Sequence, residues 1–302
     1  MGSGGMMTES IAVGTDGSAA ATAALEWAVD DAVRRGVSLR IVHAMDRWPH
    51  DLVEFPTPGR SGQLECFGEQ VLTEAAKAAM ERRPDVRVTT ELIEGTPSDV
   101  LGGQAETAVE LVVGNRGLGG FAGSLLGSVP VRLAGHVSGA VVVVRQGRAE
   151  VYGEVVVGVD GSAECDPALG FAFEQAALRG CGLRVVYAWQ MPLHAFSPEA
   201  GGDIEEIRRA QRLVAEERLA GWQERFPTVE VVSEVTRARP VPTLLAASAR
   251  ADLLVVGSRG LGAVGSVLLG SVSREVLHHA RGPVAVVRST RSTGRGPRAS
   301  SG

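Results

Sequence analysis

An apolar run that ends in a tight turn decides the fold of this chain: Ile-Ala-Val-Gly-Thr-Asp-Gly-Ser at residues 11–18. It returns as Val-Val-Val-Gly-Val-Asp-Gly-Ser at residues 155–162, an offset of 144 residues. The apolar residues predict a buried strand, and Asp-Gly-Ser predicts a turn into a helix. We expect the Ser18 and Ser162 hydroxyls to accept from free N–H groups of the first helical turn. A strand followed by a helix opens a βαβ unit.

The rest of the chain repeats at nearly the same spacing. Val-Val-Gly-Asn-Arg-Gly-Leu-Gly at 112–119 returns as Val-Val-Gly-Ser-Arg-Gly-Leu-Gly at 255–262, an offset of 143 residues. Such a long period indicates a duplicated domain rather than a solenoid of short units. We predict one domain over residues 8–146 and a second over 152–290. Residues 291–302, rich in Gly, Ser and Arg, are predicted to form a disordered tail.

Each copy alternates strands with helices. After the first strand, the first copy has further β-rich runs at 37–44, 86–93, 110–113 and 140–145, with helical patterns between them. The order predicts an α/β fold of two tandem Rossmann-like domains, each a five-stranded parallel sheet with helices on both faces. Ligands of such sheets bind at the carboxyl ends of the strands, where the strand order reverses.

A glycine-rich loop follows the predicted fourth strand of each copy, with the pattern Gly-x2-Gly-x9-Gly-Ser. The glycines allow main-chain N–H groups to approach a ligand closely. The final Gly-Ser opens a helix, so unpaired N–H groups and the positive end of the helix dipole form an anion site. The predicted phosphate-binding residues are Gly114, Gly117, Gly127, Ser128, Gly257, Gly260, Gly270 and Ser271.

Charged residues flank both loops. Arg116 and Arg259 either add positive charge at the mouth of each site or lie solvated in the loop. Asp16 and Asp160 end the first strands beside the loops, where a carboxylate can accept from a ribose hydroxyl or hold metal-bound water. Their alternative role is an Asx turn into the first helix. Because Asp recurs with the glycine loop in both copies, we favour the binding role.

Composition and charge exclude several classes of protein. Lys77 is the sole lysine, so the Gly-x4-Gly-Lys-Ser/Thr phosphate loop is absent. A net charge of −5 disfavours a general nucleic-acid binder, and no apolar run approaches the ~20 residues of a membrane span. The first residues lack the basic and apolar regions of a secretory signal, so we expect a cytoplasmic protein without membrane or nucleic-acid partners.

Val-Gly-x-Asp-Gly-Ser paired with the glycine loop, in both copies, resembles the universal stress protein family. The resemblance implies a strand order of 3-2-1-4-5 in each domain. It also implies pairing through the fifth strand, either between the two copies of one chain or between two chains as a homodimer.

In the nucleotide-binding branch of this family the loop holds ATP, often with Mg²⁺, and the resemblance assigns further residues to that ligand. The resemblance implies that Gly14 and Gly158 let the nucleotide approach the first strand. The backbone at the end of the second strand would meet adenine, at Ala44 and Ala188. Val129 and Val272 would join the phosphate cradle. Mg²⁺ would come with ATP, with Asp16 and Asp160 as its candidate protein contacts.

Two differences between the copies bear on these sites. His43 stands where the second copy has Tyr187, next to the expected adenine contact, so we expect the two sites to differ there. Pro130 stands in the first turn of its helix and has no N–H to offer a phosphate. The second site should therefore bind at least as well as the first.

Several functions remain open on the sequence alone. A regulatory ATP-binding protein fits the loops and the aspartates best. A slow ATP hydrolase or phosphotransfer enzyme needs a group that orients water, and no histidine or glutamate recurs at a matching loop position. A nucleotide-independent interaction module has no need of glycine loops. A dinucleotide dehydrogenase needs Gly-x-Gly-x-x-Gly after the first strand, which the turn lacks. We predict ATP binding with no catalytic residues.

Overall fold

The structure is a computed structural model that describes residues 9–46, 60–118, 125–147, 150–189, 204–260 and 269–289. The tail predicted over 291–302 lies outside the described residues. We call residues 9–147 the first lobe and residues 150–289 the second lobe.

Both lobes alternate strands with helices, which confirms the predicted α/β class. The first lobe contains β1 (Ser10–Gly14), α1 (Ala19–Arg35), β2 (Ser38–Met45), α2 (Arg60–Arg82), β3 (Val88–Glu94), α3 (Pro97–Ala105), β4 (Glu110–Gly114), α4 (Ser128–His136) and β5 (Gly139–Val144). The second contains β6 (Glu154–Val159), a 3₁₀ turn (Ala163–Cys165), α5 (Asp166–Arg179), β7 (Gly182–Trp189), α6 (Ile204–Arg225), β8 (Val231–Arg237), α7 (Pro240–Ser248), β9 (Leu253–Gly257), α8 (Ser271–His279) and β10 (Val284–Arg288).

The strands form one ten-stranded sheet in the order β3-β2-β1-β4-β5-β10-β9-β6-β7-β8. Within each lobe the neighbours are parallel and follow the expected order 3-2-1-4-5. The two fifth strands pair antiparallel, with Val143 opposite Val284 and Gly139 opposite Arg288. The two copies of one chain therefore pair with each other through their fifth strands.

Helices cover both faces of the sheet, so the central strands are apolar on both sides. Ile11 and Val13 of β1 pack in the apolar cluster that contains α1, α2, α5 and α6. Ala12, between them, packs in the cluster that contains α3, α4, α7 and α8. This alternation is the two-residue period of a strand, and it explains the continuous apolar runs in the sequence.

The first helix of each lobe begins differently. Ser18 caps α1 as predicted, because its Oγ accepts from Ala21 N at 3.2 Å. In the second lobe that prediction is wrong: the Ser162 hydroxyl donates to Asp160 Oδ1 at 2.6 Å and caps no N–H group. A 3₁₀ turn follows, and α5 starts only at Asp166 with a proline in its first turn, where the fixed φ of proline suits a helix start.

Candidate functional site

Each lobe has a cavity at the carboxyl ends of its strands. The cavity volume is about 330 Å³ in the first lobe and about 350 Å³ in the second. The cavities lie between β1 and β4 and between β6 and β9, where the strand order reverses. This is the position at which doubly wound sheets bind ligands.

All the residues predicted to contact ATP line these two cavities. The first is lined by Gly14, Asp16, Ala44, Gly114, Arg116, Gly117, Gly127, Ser128 and Val129. The second is lined by their counterparts Gly158, Asp160, Ala188, Gly257, Arg259, Gly260, Gly270, Ser271 and Val272. The fold thus brings the residues of each copy together, while their role in binding a nucleotide stays a prediction.

The two aspartates connect the first turn of each lobe to its glycine loop. Asp16 Oδ1 accepts from Ser18 N at 3.0 Å, which is the Asx turn that the sequence allowed. Its second oxygen accepts from Leu118 N in the glycine loop at 2.7 Å. A Cβ on Gly117 would stand 2.3 Å from Asp16 Oδ2, so a larger residue at this loop position would have to displace the carboxylate. The carboxylate therefore lies between the two elements that frame the cavity.

The second lobe repeats this arrangement. Asp160 Oδ1 accepts from Ser162 N at 3.0 Å. A Cβ on Gly260 would stand 2.1 Å from Asp160 Oδ2. Both lobes thus use the second loop glycine to make room for a carboxylate, which is a reason for this glycine that the sequence pattern did not reveal.

The glycines at the ends of the first and fourth strands make room for helices. A Cβ on Gly14 would lie 2.6 Å from Leu101 Cδ1, and one on Gly158 would lie 2.9 Å from Leu244 Cδ1. A Cβ on Gly114 would lie 2.8 Å from the main chain of Ala20. Gly14 and Gly158 were expected to give space to a nucleotide. In the structure, leucines of α3 and α7 lie nearest to them; both glycines still line the cavities, so the expected approach of a nucleotide stays a prediction.

Free N–H groups mark the predicted phosphate end of each cavity. Gly127 N donates to Asn115 O and Gly270 N donates to Ser258 O, each at 2.8 Å, so both glycine amides are already engaged. In α8 the first main-chain bond of the helix is Arg274 N to Gly270 O at 3.0 Å.

The cavity-lining amides that follow these two glycines have no partner among the described residues. In the second lobe they belong to Ser271, Val272 and Ser273, and in the first to Ser128 and Val129, because Pro130 has no N–H. All five of these amide-bearing residues line the cavities. Among the cavity-lining residues, the second lobe thus offers one more free amide than the first.

The two loop arginines lie at the cavity walls on the solvent side. Arg116 and Arg259 are both exposed, and neither forms an ion pair with the part of the chain that the structure describes. They are therefore placed to add positive charge at the mouth of each cavity.

Each cavity also has an apolar wall that the sequence did not predict. It is formed by Val42, Pro97 and Leu101 in the first lobe, and by Val186, Pro240 and Leu244 in the second. The signal was present as Pro-x3-Leu at the start of a helix in both copies. The strand order is what carries this helix over the end of the first strand.

His43 and Tyr187 do not line the cavities, which corrects the expectation that they make the sites differ. Side chains alternate along a strand, so Val42 and Ala44 face the cavity and His43 faces the other side. There, His43 Nδ1 lies 2.8 Å from Thr15 O.

A cysteine distinguishes the second cavity instead. Cys165 lines it where the first cavity has Ala21. Its thiol donates to Ser162 O at 2.9 Å, and burial raises the pKa of Cys165, so the group stays a protonated thiol at neutral pH. Within the described ranges, no three metal-ligating side chains gather into a cluster.

Both halves of the chain match the family described as the universal stress protein family, over residues 7–145 and 152–288. The chain belongs to this family. It is 37% identical over 292 residues to Universal stress protein Rv2005c of Mycobacterium tuberculosis, covering 93% of this chain and 97% of that protein. It is 34% identical over 303 residues to Universal stress protein Rv1996 of the same organism, covering 92% and 94%.

A solved structure extends the likeness to both lobes. The crystal structure of a universal stress protein from Archaeoglobus fulgidus DSM 4304 matches with a TM-score of 0.70 and covers 93% of this chain and 98% of its own. The identity is 21%, so this match shows the shared tandem fold. Across the part of the chain described here, every helix is too short or too polar to cross a bilayer.

Proposed function

We propose that this universal stress protein binds ATP, one molecule in each lobe, in a regulatory rather than catalytic role. The observation that carries the proposal is the layout shared by both cavities. Each is lined by free amides of the helix that follows β4 or β9, by apolar side chains of β2 and α3 or of β7 and α7, and by the aspartate that follows β1 or β6; β1 and β6 lie between these strands in the sheet. The triphosphate of ATP matches the amides, the adenine matches the apolar wall, and the ribose matches the carboxylate.

The phosphates would lie at the starts of α4 and α8. A charge-assisted hydrogen bond contributes roughly 1.5–3 kcal/mol, so two or three amides and the helix dipole can hold a phosphate without lysine. The hydroxyls of Ser128 and Ser271 add a ligand for phosphate or for Mg²⁺. Arg116 and Arg259 would add charge at the mouth.

The nucleoside would occupy the apolar end. Adenine would pack on the valine, proline and leucine of the wall, with its polar edge at the main chain of Ala44 or Ala188. Asp16 and Asp160 would accept from ribose hydroxyls or hold water bound to Mg²⁺ carried by ATP. Among the described lining residues there is no histidine, lysine or glutamate, so Asp16 and Asp160 are the lining side chains left to act as a base toward water.

Titration calorimetry of the full chain with ATP and Mg²⁺ tests the proposal. We expect two ATP per chain. Gly127→Val and Gly270→Val should each remove one binding site. The new side chain would project at the start of α4 or α8, where the phosphates would bind. The double variant should bind none.

Gly221→Ala is the matched control, because a Cβ on Gly221 meets nothing within 4 Å and lies outside both cavities. It should keep both sites. Absence of binding heat and of a thermal shift at millimolar ATP would reject the proposal, as would unchanged affinity in the double variant.

A further inference from the structure

A buried polar cluster lies where the two lobes meet, on the face of the sheet covered by α1 and α5. We call it the seam cluster. It consists of Trp27, Asp31, Arg35 and Glu110 from the first lobe with Phe171, Glu174, Gln175 and Arg179 from the second. Glu110 is the first residue of β4, so the cluster lies at the opposite edge of the sheet from the cavities.

Two residues of the second lobe donate into the carboxylates of the first. Gln175 Nε2 donates to Asp31 Oδ2 at 2.9 Å and to Glu110 Oε2 at 3.3 Å. Arg179 donates to Asp31 Oδ1 at 2.9 Å. Asp31 and Gln175 are 0% exposed and Glu110 is 1% exposed. These contacts are therefore shielded from water, where charge pairing has large consequences.

Each lobe also places one arginine on an aromatic ring of the other. The Arg35 guanidinium lies 5.6 Å from the ring centre of Phe171, and it pairs with Glu174 at 2.8 Å. The Arg179 guanidinium lies 4.6 Å from the ring centre of Trp27. These two arginines occupy the same position of the repeat, so this part of the seam is nearly symmetric.

The carboxylates break the symmetry. Asp31 corresponds in the repeat to Gln175, and Glu110 corresponds to Leu253. The first lobe thus brings two deep carboxyl groups, whereas the second brings an amide and a leucine at the same positions. The arginine recurs in both lobes, but the two buried acids, Asp31 and Glu110, come from the first lobe.

We infer that the seam cluster selects the partner of each lobe: a first lobe pairs with a second lobe, and like pairs are rejected. Two first lobes would bring the Asp31 carboxylates together where Gln175 now donates. Two second lobes would bury both Arg179 side chains without a deep carboxylate, leaving only Glu174, which is 47% exposed. A buried charge without its partner strongly disfavours an interface, and such contacts are how proteins reject wrong partners.

The selection has a consequence for assembly. Both fifth-strand edges are occupied when the chain closes on itself. Two chains could use the same surfaces only by exchanging lobes crosswise, first with second. A homodimer of closed chains must therefore form through a different surface.

Exchanging the two central side chains of the full-length protein tests the inference. Asp31→Gln alone imitates a pair of second lobes, and Gln175→Asp alone imitates the contact between two first lobes. The exchanged chain D31Q/Q175D carries one acid and one amide again, in opposite lobes. Hydrogen exchange in β5 and β10 reports opening of the seam, with β2 and β3 as an internal reference.

We expect each single variant to accelerate exchange in β5 and β10 by about tenfold or more, and the exchanged chain to return to within about threefold of the unmodified protein. Asp30→Asn is the matched control. Its side chain is next along α1 but pairs with Arg82 and Arg83 inside the first lobe, so the seam should not open.

Additive losses in the exchanged chain would overturn the inference, because they would show that each residue acts on its own lobe only. Unchanged seam exchange in the single variants would overturn it as well. If Gln175→Asp alone does not fold, folding of the exchanged chain becomes the readout. A folded exchanged chain would show that aspartate is tolerated at position 175 when residue 31 is a glutamine. Failure of both chains to fold would count against it.

Discussion

At the scale of single residues, the two cavities differ at the third residue of the helix that begins at each of them, α4 in the first lobe and α8 in the second. Pro130 occupies it in the first lobe and Ser273 in the second, and both line their cavity. The Ser273 hydroxyl donates to Gly257 O at 2.6 Å, so its contribution to an anion comes from its main-chain N–H. One residue type therefore decides how many amides each site offers.

Exchanging these residues should shift ATP affinity between the sites. With the first site blocked by Gly127→Val, Ser273→Pro should weaken ATP binding at the second site by about tenfold, the effect of about one charge-assisted hydrogen bond. With the second site blocked by Gly270→Val, Pro130→Ser should strengthen ATP binding at the first site. Calorimetry with ATP measures both.

Ser273→Ala provides the control for this exchange, because it removes the hydroxyl but keeps the amide. It should leave ATP affinity within about threefold of the unmodified second site. An equal loss in the alanine and proline variants would assign the effect to the hydroxyl and contradict the amide argument.

At the scale of elements, the first helix of each lobe ends at a glycine with a left-handed backbone. Gly36 ends α1 at φ 68° and Gly180 ends α5 at φ 61°. The Gly36 N–H donates to Val33 O at 3.2 Å, which closes the last turn. This geometry ends each helix and turns the chain directly into the next strand, which is β2 after α1 and β7 after α5.

Alanine at these positions should destabilise the protein through the backbone alone. A Cβ on Gly36 or Gly180 meets nothing within 4 Å, so no clash occurs. We expect Gly36→Ala and Gly180→Ala each to cost about 1 kcal/mol in urea unfolding, because non-glycine residues disfavour positive φ.

Gly102→Ala is the comparison for these variants. Gly102 lies within α3 and a Cβ there also meets nothing within 4 Å. The substitution should stabilise the protein by about 0.5–1 kcal/mol, since alanine is the better helix former. Stabilisation in all three variants would show that the left-handed caps are not required.

At the scale of the whole molecule, the seam cluster links the stability of both lobes to pH. Burial, and then the charge of Asp31, raise the pKa of Glu110 to about 8. Burial opposes the ionised form of Asp31 too, but Arg179 and Arg35 outweigh it and lower the pKa of Asp31 to about 2. The pKa values of two carboxyl groups in one cluster are therefore shifted in opposite directions.

Glu110 should make the protein less stable as pH rises. Its pKa is higher in the folded than in the unfolded state, so the folded protein holds the extra proton above the ordinary value of 4.5. The stability that this proton contributes is complete below pH 4.5 and is lost as pH rises to about 8. Asp31 acts in the opposite direction, but only below its ordinary value of 3.8.

Glu110→Gln isolates this effect, because an amide keeps the shape of the side chain without titrating. Urea midpoints between pH 5 and 9 should show the variant gaining stability relative to the unmodified protein as pH rises. Glu174→Gln, at the exposed rim of the same cluster, should show no such trend. Parallel pH profiles for Glu110→Gln and the unmodified chain would contradict the prediction.

The location of the candidate sites was predictable because it follows from local pattern and topology. Val-Gly-x-Asp-Gly-Ser and the glycine loop sit at the ends of strands that the sequence identifies, and parallel strands bring those ends to one edge. The sequence therefore predicted that Asp16 and Gly117 lie near each other. It explained the glycine by a ligand, whereas the structure explains it by the room that the Asp16 carboxylate needs. Leu101 was missed because Pro-x3-Leu marks the start of a helix but does not show which strand end that helix covers.

The sequence by itself determined the duplication, the α/β class, the strand order through the family resemblance, and the edge of the sheet where both cavities lie. The class and the sheet edge follow from periodicity and short motifs, which are local, and the duplication follows from the recurrence of those motifs along the chain. Tertiary structure alone decided that Asp31 and Glu110 meet Gln175 and Arg179. Those partners lie 65 to 148 residues apart in the chain, and only the antiparallel pairing of β5 with β10 brings them into one buried cluster.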